Sequence, residues 1–468
     1  MRKAGVLLHI SSLPGPFGCG TFGREAYTFA DFLHAAGFRI WQVLPFNVPH
    51  RDASPYSSVS TFAQNPLFID PATLCEEGLL TRAELETLTR EAPANEKDFY
   101  ALSLHREPFL RAAAARADAA LRGNVSDFLA QNPNVERACT YLCKDAPTEE
   151  NFFYYAFLQY QFYKQWQALH AYLGAHGIEV IGDIPIYADL HSSEVYFHPE
   201  CFLLDADKKP PFVSGVPGDS FNEDGQKWGH PLYRTEALAA QNYRLLFDRM
   251  AFAAKFYDVT RIDHFQAIAA FYAIPADGHP REGHWETGVG DPFVKRLVNE
   301  IGAERFIVED FDCFPGGSHA LADRYGLPDM NTLQFSMNKG ESVANYREAT
   351  VAYTGTHDND TLIGYLCKMS QKKRARIAVL LHLPPDSTAK EIARAGMEAL
   401  CASRAARVVI PAQDLLFEGG ESRMNVPGIS GQGNWHWRIT HEKLEKLEKL
   451  APLWHQTLKK YDRLEDLV

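Results

Sequence analysis

The sequence contains no apolar run of the kind that crosses a bilayer. A membrane-spanning helix needs about 18 or more consecutive apolar residues, and no stretch of the 468 residues approaches that length. The chain begins with Met1, Arg2 and Lys3, as a signal peptide can, but the apolar run that follows ends at Ser11. That run is too short for a secretory signal. These absences predict a cytoplasmic protein with no membrane partner.

The cysteines lack the spacing of a metal site or of a disulfide framework. Eight are scattered along the chain without a CxxC motif. Cys139 and Cys143 lie one helical turn apart, but no second pair exists to complete a zinc site. We therefore predict free, mostly buried thiols in a reducing compartment, and no metal site.

A basic surface is also lacking. Lys and Arg number 47 against 59 Asp and Glu, and the formal charge of −12 argues against a nucleic-acid partner. Hydrophobic residues make up 46% of the chain, which excludes a disordered or collagen-like protein. This length and composition predict one large globular domain or two.

Short β-branched and aromatic runs recur along the chain, separated by longer stretches with the apolar spacing of amphipathic helices. The predicted strands are Gly5–Ser11, Arg39–Pro45, Glu179–Tyr187, Val259–Phe265, Arg305–Phe311, Met330–Phe335, Val351–His357 and Arg407–Leu416. Alternating strands and helices indicate a parallel α/β sheet, and eight repeats indicate a closed (β/α)8 TIM barrel.

Two connections are longer than a barrel unit needs. Residues 46–151, with a capping box from Thr81 to Glu84, are predicted to form an inserted, mostly helical subdomain. A barrel helix from Asn151 to Leu173 should follow it. Residues 188–231, rich in Pro, Gly and Asp, are predicted to form a long loop or small subdomain over the active-site face. The barrel would then comprise residues 1–45 and 152–468, with a terminal docking helix at 441–450.

A glycine-rich segment near the start matches a nucleotide-binding fingerprint. Gly18–Gly23 reads G-x-G-x-x-G, but the next predicted strand, Arg39–Pro45, ends without the acidic residue that a dinucleotide site requires. A first barrel loop is the simpler interpretation.

Three carboxylates, Asp263, Glu309 and Asp358, each lie at the C-terminal end of a different predicted strand. Barrel strand ends converge on one pocket. Neighbouring strands lie about 4.7–4.9 Å apart, so Asp263 and Glu309 could reach the roughly 5–5.5 Å separation of a retaining glycosidase pair. One ionised carboxylate would attack the anomeric carbon, and a protonated neighbour would donate to the leaving oxygen. Arg261, on the same strand face as Asp263, could keep the attacking carboxylate ionised.

Two other interpretations of these acids stay open. Acids at strand ends are often helix N-caps or ion-pair partners. Clustered acids can also bind a divalent metal, and Asp310 and Asp360 keep that possibility alive, although Asp263 has no second carboxylate at ligand spacing. Three acids at once, each at a strand end and two of them beside a histidine, favour a catalytic site.

Aromatic residues in the loops predicted to rim this face would suit pyranose rings. They are Tyr56, Tyr187, Trp228, Phe335, Trp435 and Trp437. Core packing explains part of such a set equally well. Trp228 lies between Gly225 and Gly229, and its indole either stacks on an acceptor sugar or anchors the loop.

At these residues the sequence resembles the amylomaltase family, the 4-α-glucanotransferases or disproportionating enzymes. The matching segments cover almost the whole chain and read HISSLPGPFGCGTFG, WQVLP, SPY, GDIPIY, GQKWGHPLY, RIDHF, EDF, LQF, YTGTHDND and RMNVPG. RIDHF with YTGTHDND is typical of glucan-active barrels, and SPY, GQKWG and RMNVPG narrow the likeness to this family. The resemblance implies a (β/α)8 barrel with inserted subdomains, no C-terminal β-sandwich and no cofactor.

The resemblance also implies roles for individual residues. Asp263 would be the nucleophile, Glu309 the acid/base and Asp358 the transition-state stabiliser. The implied sugar contacts are Tyr56, Asp183, Trp228, Arg261, Phe335 and His357. The chain departs from the family pattern at Gln266, usually Arg, at Phe311 and Asp312, usually Leu-Gly, and at Ala53, which separates Asp52 from SPY. These departures bear on donor length and subsite shape.

The predicted function is transfer of an α-1,4-glucan segment from a maltooligosaccharide, amylose or another α-1,4-glucan to the 4-hydroxyl of a second glucan. A plain α-glucan hydrolase on the same barrel is the first alternative. A catalytically silent glucan-binding or regulatory protein is the second.

Overall fold

The computed structural model describes residues 2–92, 98–218, 223–310, 317–429, 431 and 433–464. Twelve strands occur in these ranges: β1 (Lys3–Leu7), β2 (Ile40–Gln42), β3 (Glu179–Ile184), β4 (Phe212–Val216), β5 (Gln226–Pro231), β6 (Val259–Ile262), β7 (Ala270–Pro275), β8 (His284–Thr287), β9 (Phe306–Val308), β10 (Asp329–Thr332), β11 (Thr350–Tyr353) and β12 (Arg407–Pro411).

Eight of these strands form a parallel TIM barrel, which confirms the predicted fold class. Their order is β10-β11-β12-β1-β2-β3-β6-β9. A 2.9 Å hydrogen bond from the Val308 N–H to the Pro328 carbonyl nearly closes the ring between β9 and β10. Buried apolar side chains from successive strands, including Leu7, Ile181 and Val409, fill the barrel interior.

Each predicted barrel strand corresponds to an observed one, but all eight predictions run past the C-terminal end of the observed strand, and two of them run into an α-helix. Residues Leu333–Lys339 form a helix directly after β10, begun by Thr332, whose side chain accepts the Phe335 N–H. Ala412–Leu415 likewise form a short helix after β12. Phe311, the predicted end of the fifth strand, lies outside the described residues.

Helices follow the barrel strands, and more of them lie between β2 and β3. The α-helices are Arg24–Ala36, Pro71–Glu76, Arg82–Arg90, Phe99–Ala115, Ala119–Gln131, Pro133–Leu142, Glu149–Ala175, Ser193–Phe197, Thr235–Ala240, Arg244–Phe256, Gln266–Ala269, Gly290–Ile301, Ser318–Arg324, Leu333–Lys339, Leu362–Lys368, Gln371–Leu380, Ala389–Ala402, Ala412–Leu415 and His441–Lys460. Single 3-10 turns occur at Ile10–Ser12, Pro66–Phe68, Pro199–Cys201, Pro280–Glu282, Ala303–Arg305, Val343–Asn345 and Gly420–Ser422.

The long connection between β2 and β3 is helical for much of its length. The capping box predicted at Thr81 and Glu84 forms, and its carboxylate also bonds Arg116 at 2.8 Å. The helix that returns to the barrel spans Glu149–Ala175, a little longer than predicted, with Thr148 as its N-cap. The division into a barrel and a separate helical subdomain stays a prediction.

The second long connection holds regular structure that the sequence analysis did not assign. Within 188–231, β4 and β5 pair antiparallel, and β7 and β8 extend the sheet in the order β5-β4-β7-β8. The side chains of β5 are mostly polar and only partly buried, so the strand lacks the apolar alternation that would reveal it. This sheet carries Trp228.

The glycine-rich segment has a structural explanation. A Cβ on Gly20 would lie 1.9 Å from the Ile10 carbonyl oxygen, so the first barrel loop packs too closely there for any side chain. Gly18 adopts a φ of 85°, which favours glycine.

The remaining sequence predictions concern cysteines, membrane spans and the terminal helix. The seven described cysteines are free thiols, and Cys313 lies outside the described residues. No helix in the described ranges is long and apolar enough to span a bilayer. The terminal helix His441–Lys460 packs against Arg24–Ala36 and buries Leu444 and Leu447.

Candidate active site

The barrel register brings the predicted catalytic acids together. Ile262 of β6 is paired with Val308 of β9, so the next residue on each strand, Asp263 and Glu309, are neighbours at the C-terminal end of the barrel. Backbone hydrogen bonds of 3.0 Å continue past the strand ends, because the Asp263 N–H donates to Ile184 and the Glu309 N–H to Ile262. Both carboxyl groups therefore stand on backbone that the barrel holds in place.

Arg261 is the centre of this site. The side chain is fully buried in the barrel mouth. Its Nη1 donates to Asp183 Oδ2 at 2.6 Å and to Asp263 Oδ1 at 2.9 Å. Its Nη2 forms an ion pair with Glu309 Oε1 at 2.8 Å. One guanidinium thus contacts three carboxylates, of which Asp263 was the partner predicted from the sequence.

Tyr56 reaches this cluster from the loop after β2. Its hydroxyl donates to Asp183 Oδ2 at 2.8 Å. Its ring is stacked on His357, with centroids 5.2 Å apart and an interplanar angle of 11°. Trp435 lies against both rings, at 5.5 and 5.9 Å. Tyr56, Asp183 and His357 therefore form one wall of the site, and their role as sugar contacts stays a prediction.

Asp358 is held by side chains that the sequence analysis did not assign. The Asn425 side chain donates to Asp358 Oδ1 at 2.6 Å, and the Arg423 guanidinium donates to the Asp358 backbone carbonyl at 2.5 Å. His357 Nε2 lies 3.4 Å from Asp358 Oδ2. Arg423 and Asn425 belong to the RMNVPG segment. That segment matched a family motif, but nothing in it indicated that these two residues contact Asp358.

Trp228 lies near the acid/base candidate, to which His264 connects it. It is half-buried on β5, and its indole N–H donates to Gln226 at 3.1 Å. The indole packs edge-on against His264, with centroids 4.7 Å apart. The His264 N–H in turn donates to Glu309 Oε2 at 2.8 Å. Trp228 is thus linked to Glu309 through His264, whereas Tyr56 contacts Asp183.

The other sequence candidates fall at the same end of the barrel or within its packing. Phe335 is half-buried in the helix directly after β10. Gln266, one of the departures, accepts a 2.6 Å hydrogen bond from Ser318. Asp52 turns back on its own loop and accepts the Ser54 N–H at 3.2 Å. Phe311 and Asp312 lie outside the described residues.

The charges of the catalytic pair are set by burial and by unequal donors. Burial and the charge of Glu309 raise the pKa of Asp263 well above its usual range, despite Arg261. Burial also raises the pKa of Glu309, but Arg261 and the His264 N–H outweigh it and leave that pKa below its usual value. A protonated Glu309, as expected of the acid/base, would need the raised pKa on that residue instead. Both carboxylates contact Arg261, but Glu309 also accepts the His264 N–H.

The neighbouring groups stay in defined charge states. Arg261, among the carboxylates, has its pKa raised well above the usual range and stays charged. Burial lowers the pKa of His264 to about 4, so its ring is neutral near pH 7. Burial raises the pKa of the Tyr56 hydroxyl, which remains a hydrogen-bond donor.

The metal interpretation of the acids finds no support in the donor arrangement. The Arg261 guanidinium occupies the centre of the carboxylates, where a metal ion would have to bind. Within the described ranges no group of three or more His, Cys, Asp or Glu side chains is arranged to hold a metal ion.

Comparison with known proteins identifies relatives of this chain. The family model described as 4-alpha-glucanotransferase matches residues 8–144 and 142–444. A 4-alpha-glucanotransferase of Thermus thermophilus is 36% identical over 94% of this chain and 95% of its own length. One from Aquifex aeolicus is 33% identical over 97% of this chain and 98% of its own length.

A solved structure agrees over the full length. The amylomaltase from Streptococcus agalactiae in complex with acarbose is 30% identical, has a TM-score of 0.93, and covers 99% of this chain and 100% of its own. The amylomaltase from Corynebacterium glutamicum shares the fold, with a TM-score of 0.84 at 17% identity over 99% of this chain and 75% of its own.

Proposed function

The chain belongs to the 4-alpha-glucanotransferase family, and from that premise we propose that it transfers glucan segments by a retaining mechanism with Asp263 as the nucleophile. The observation that carries the proposal is the position of Arg261. Its two terminal nitrogens hold one oxygen each of Asp263 and Glu309, at 2.9 and 2.8 Å. Such a shared contact favours the short carboxyl separation of roughly 5–5.5 Å that retaining enzymes use, rather than the longer spacing of inverting ones.

The first step forms a glycosyl-enzyme. The Asp263 carboxylate attacks the anomeric carbon of the donor while Glu309 gives its proton to the leaving 4-oxygen, so the carbon–oxygen bond to the departing glucan breaks as the ester forms. The pair shares one proton, which must be on Glu309 when the sugar reacts. Positive charge developing at the anomeric carbon favours the ionised form of Asp263 at that moment.

Asp358 and the wall formed by Tyr56, Asp183 and His357 hold the reacting sugar. The Asn425 donor fixes one Asp358 oxygen, which leaves the other, near His357, to accept sugar hydroxyls. Hydrogen bonds of this kind strengthen as the ring distorts toward the transition state. The aromatic faces of Tyr56 and Trp435 shield the site from water.

The second step returns the sugar to another glucan. Glu309, now ionised, accepts the proton of an acceptor 4-hydroxyl as that oxygen attacks the anomeric carbon and releases Asp263. Trp228 lies beside His264 and Glu309, where an acceptor ring would stack on the half-buried indole. An acceptor bound there excludes water, which favours transfer over hydrolysis.

The substrates we propose are maltooligosaccharides, amylose and other α-1,4-glucans, with no cofactor and a cytoplasmic site of action. The acarbose complex of the Streptococcus agalactiae amylomaltase supports an oligosaccharide ligand for the same barrel. The formal charge of −12 is unsuited to a nucleic-acid partner.

Incubation of the purified protein with maltotriose alone tests this proposal. Transfer predicts glucose together with a ladder of oligomers longer than the substrate. A hydrolase would release only glucose and maltose, and a silent binding protein would leave maltotriose unchanged. Either of those results would overturn the proposal.

A further inference from the structure

The loop that carries Tyr56 is a hairpin-like arm. Antiparallel bridges join Asn47 to Gln64 and Pro49 to Ser58, so residues 50–57 form its tip. Ala53 in the tip has a φ of 63°, a conformation that residues with a side chain rarely adopt. Such a conformation persists only where the surroundings impose it.

One carboxylate contacts both sides of this tip. Asp189, in the connection after β3, accepts a 2.8 Å hydrogen bond from Ser57 Oγ on the side next to Tyr56. Its other oxygen lies 3.2 Å from His50 Nε2 across the tip. The same oxygen accepts the His191 N–H at 2.8 Å, which fixes Asp189 on its own loop.

The contact with Asp189 favours the charged form of His50. The hydrogen bond with Asp189 raises the pKa of His50 despite partial burial. Burial acts to raise the pKa of Asp189, but His50, the His191 N–H and Ser57 hold it well below its usual range. Asp52, in the tip, adds a second negative charge near His50.

The β5 strand adds one further titratable neighbour. His230 Nδ1 lies 3.7 Å from Asp189 Oδ2, too far for a direct hydrogen bond. Burial lowers the pKa of His230, so it is a neutral packing neighbour. The close polar contacts of Asp189 are therefore with the Tyr56 arm and with its own loop.

We propose that Asp189 is a positioning residue that holds the Tyr56 arm closed over the reacting sugar. The segment from β3 onward pins the arm twice, because Asp183 receives the Tyr56 hydroxyl and Asp189 receives the adjacent Ser57 hydroxyl and His50. Asp189 touches no reacting atom. Its effect on catalysis passes through Tyr56, and in this sense the inference rests on the proposed function.

A double-mutant cycle between Asp189 and Tyr56 tests this inference. The wild-type protein is first assayed for transfer with maltotriose, so that a failure of the proposed function is seen before the variants are compared. Asp189→Ala and Tyr56→Phe should each lower kcat/KM for transfer, the former by about tenfold, the size of one coupled contact. The double variant should be no slower than the slower single variant. Asp189→Asn keeps an acceptor for Ser57 and should fall between the wild type and Asp189→Ala.

Asp258→Ala is the matched control. Asp258 precedes β6 at the far end of the barrel and also binds a histidine and a backbone N–H, at 3.0 Å to His170 and 2.7 Å to Val180. The Asp258→Ala variant should lower the melting temperature to an extent similar to Asp189→Ala while leaving kcat/KM intact. Multiplicative losses in the double variant, or unchanged kcat/KM in both Asp189→Ala and Asp189→Asn, would overturn the inference. If Asp189→Ala does not fold, the same cycle with Asp189→Asn decides.

Discussion

The backbone N–H of His264 donates a 2.8 Å hydrogen bond to Oε2 of Glu309. Because His264 directly follows Asp263, the proposed acid/base is tied to the chain beside the proposed nucleophile. His264 adopts a left-handed φ of 46° in making this contact. Backbone strain of this kind is found at functional sites, where the surrounding structure enforces it. Here it gives Glu309 a donor that Asp263 lacks.

The unequal donors predict opposite stability changes in two isosteric variants. Burial and Glu309 raise the pKa of Asp263 above its ordinary 3.8, so its contribution to stability is complete below that value and is lost as pH rises toward the folded pKa. Asp263→Asn should therefore raise the melting temperature near neutral pH, and the gain should shrink toward about pH 4.

Glu309→Gln should do the reverse. Burial alone would raise the pKa of Glu309, but Arg261 and the His264 N–H leave it below its ordinary 4.5. Its ionised form then stabilises the fold above that pH, and the contribution is lost as pH falls through the folded pKa. This variant should melt below the wild type near neutral pH and approach it in acid. Shifts of the same sign in both variants near neutral pH would contradict the charge assignment.

The pH dependence of kcat/KM should be bell-shaped. At low pH both members of the pair are protonated and Asp263 cannot attack, whereas at high pH the pair has lost the proton that Glu309 must donate. The two limbs report macroscopic pKa values of the pair rather than of either residue. With an activated donor that needs no protonation, Glu309→Gln should lose the alkaline limb of glycosyl-enzyme formation. Persistence of that limb would assign it to another group.

Chelation should leave activity intact, because the Arg261 guanidinium rather than a metal ion holds the carboxylates together. Transfer from maltotriose would be measured after dialysis against EDTA, with an untreated sample as the control. Loss of most activity, restored by one divalent ion, would return the acids to the metal interpretation.

Trp228→Ala separates acceptor stacking from loop anchoring. The indole is only half-buried, so the variant should lose much less than the roughly 3–5 kcal/mol of a buried Trp→Ala change. Transfer should fall more than donor cleavage, and the fraction of hydrolysis should rise. The measurement is the ratio of transfer to hydrolysis products beside a thermal melt. A large fall in melting temperature with both reactions declining together would identify a packing anchor.

The barrel strands could be predicted because strands buried on both sides read as continuous apolar runs. The three residues of β9, Phe306–Val308, are all apolar and all buried, for example. The antiparallel sheet could not, since β5 alternates half-buried and exposed polar residues around a single Trp228. Its order follows from pairing with β4, which the chain does not encode locally.

The candidate site divides in the same way. Asp263, Glu309 and Asp358 stand out as acids after apolar runs. The contact between Asp183 and Arg261 depends on the register that pairs them across β3 and β6. Residues distant in sequence add partners, such as Asn425 at Asp358, and these require the folded chain. The pKa values of the pair likewise depend on burial, on Arg261 and on a backbone N–H, which no side-chain pattern reveals.

The most direct test of the mechanism is to trap the glycosyl-enzyme. Glu309→Gln, incubated with a maltooligosaccharyl donor that carries an activated leaving group, should accumulate a covalent adduct, because neither acid nor base assistance is then available for turnover. Peptide mapping by mass spectrometry should place the sugar on Asp263. The same donor with Asp263→Asn serves as the control and should give no adduct. Label on any other residue would contradict the account.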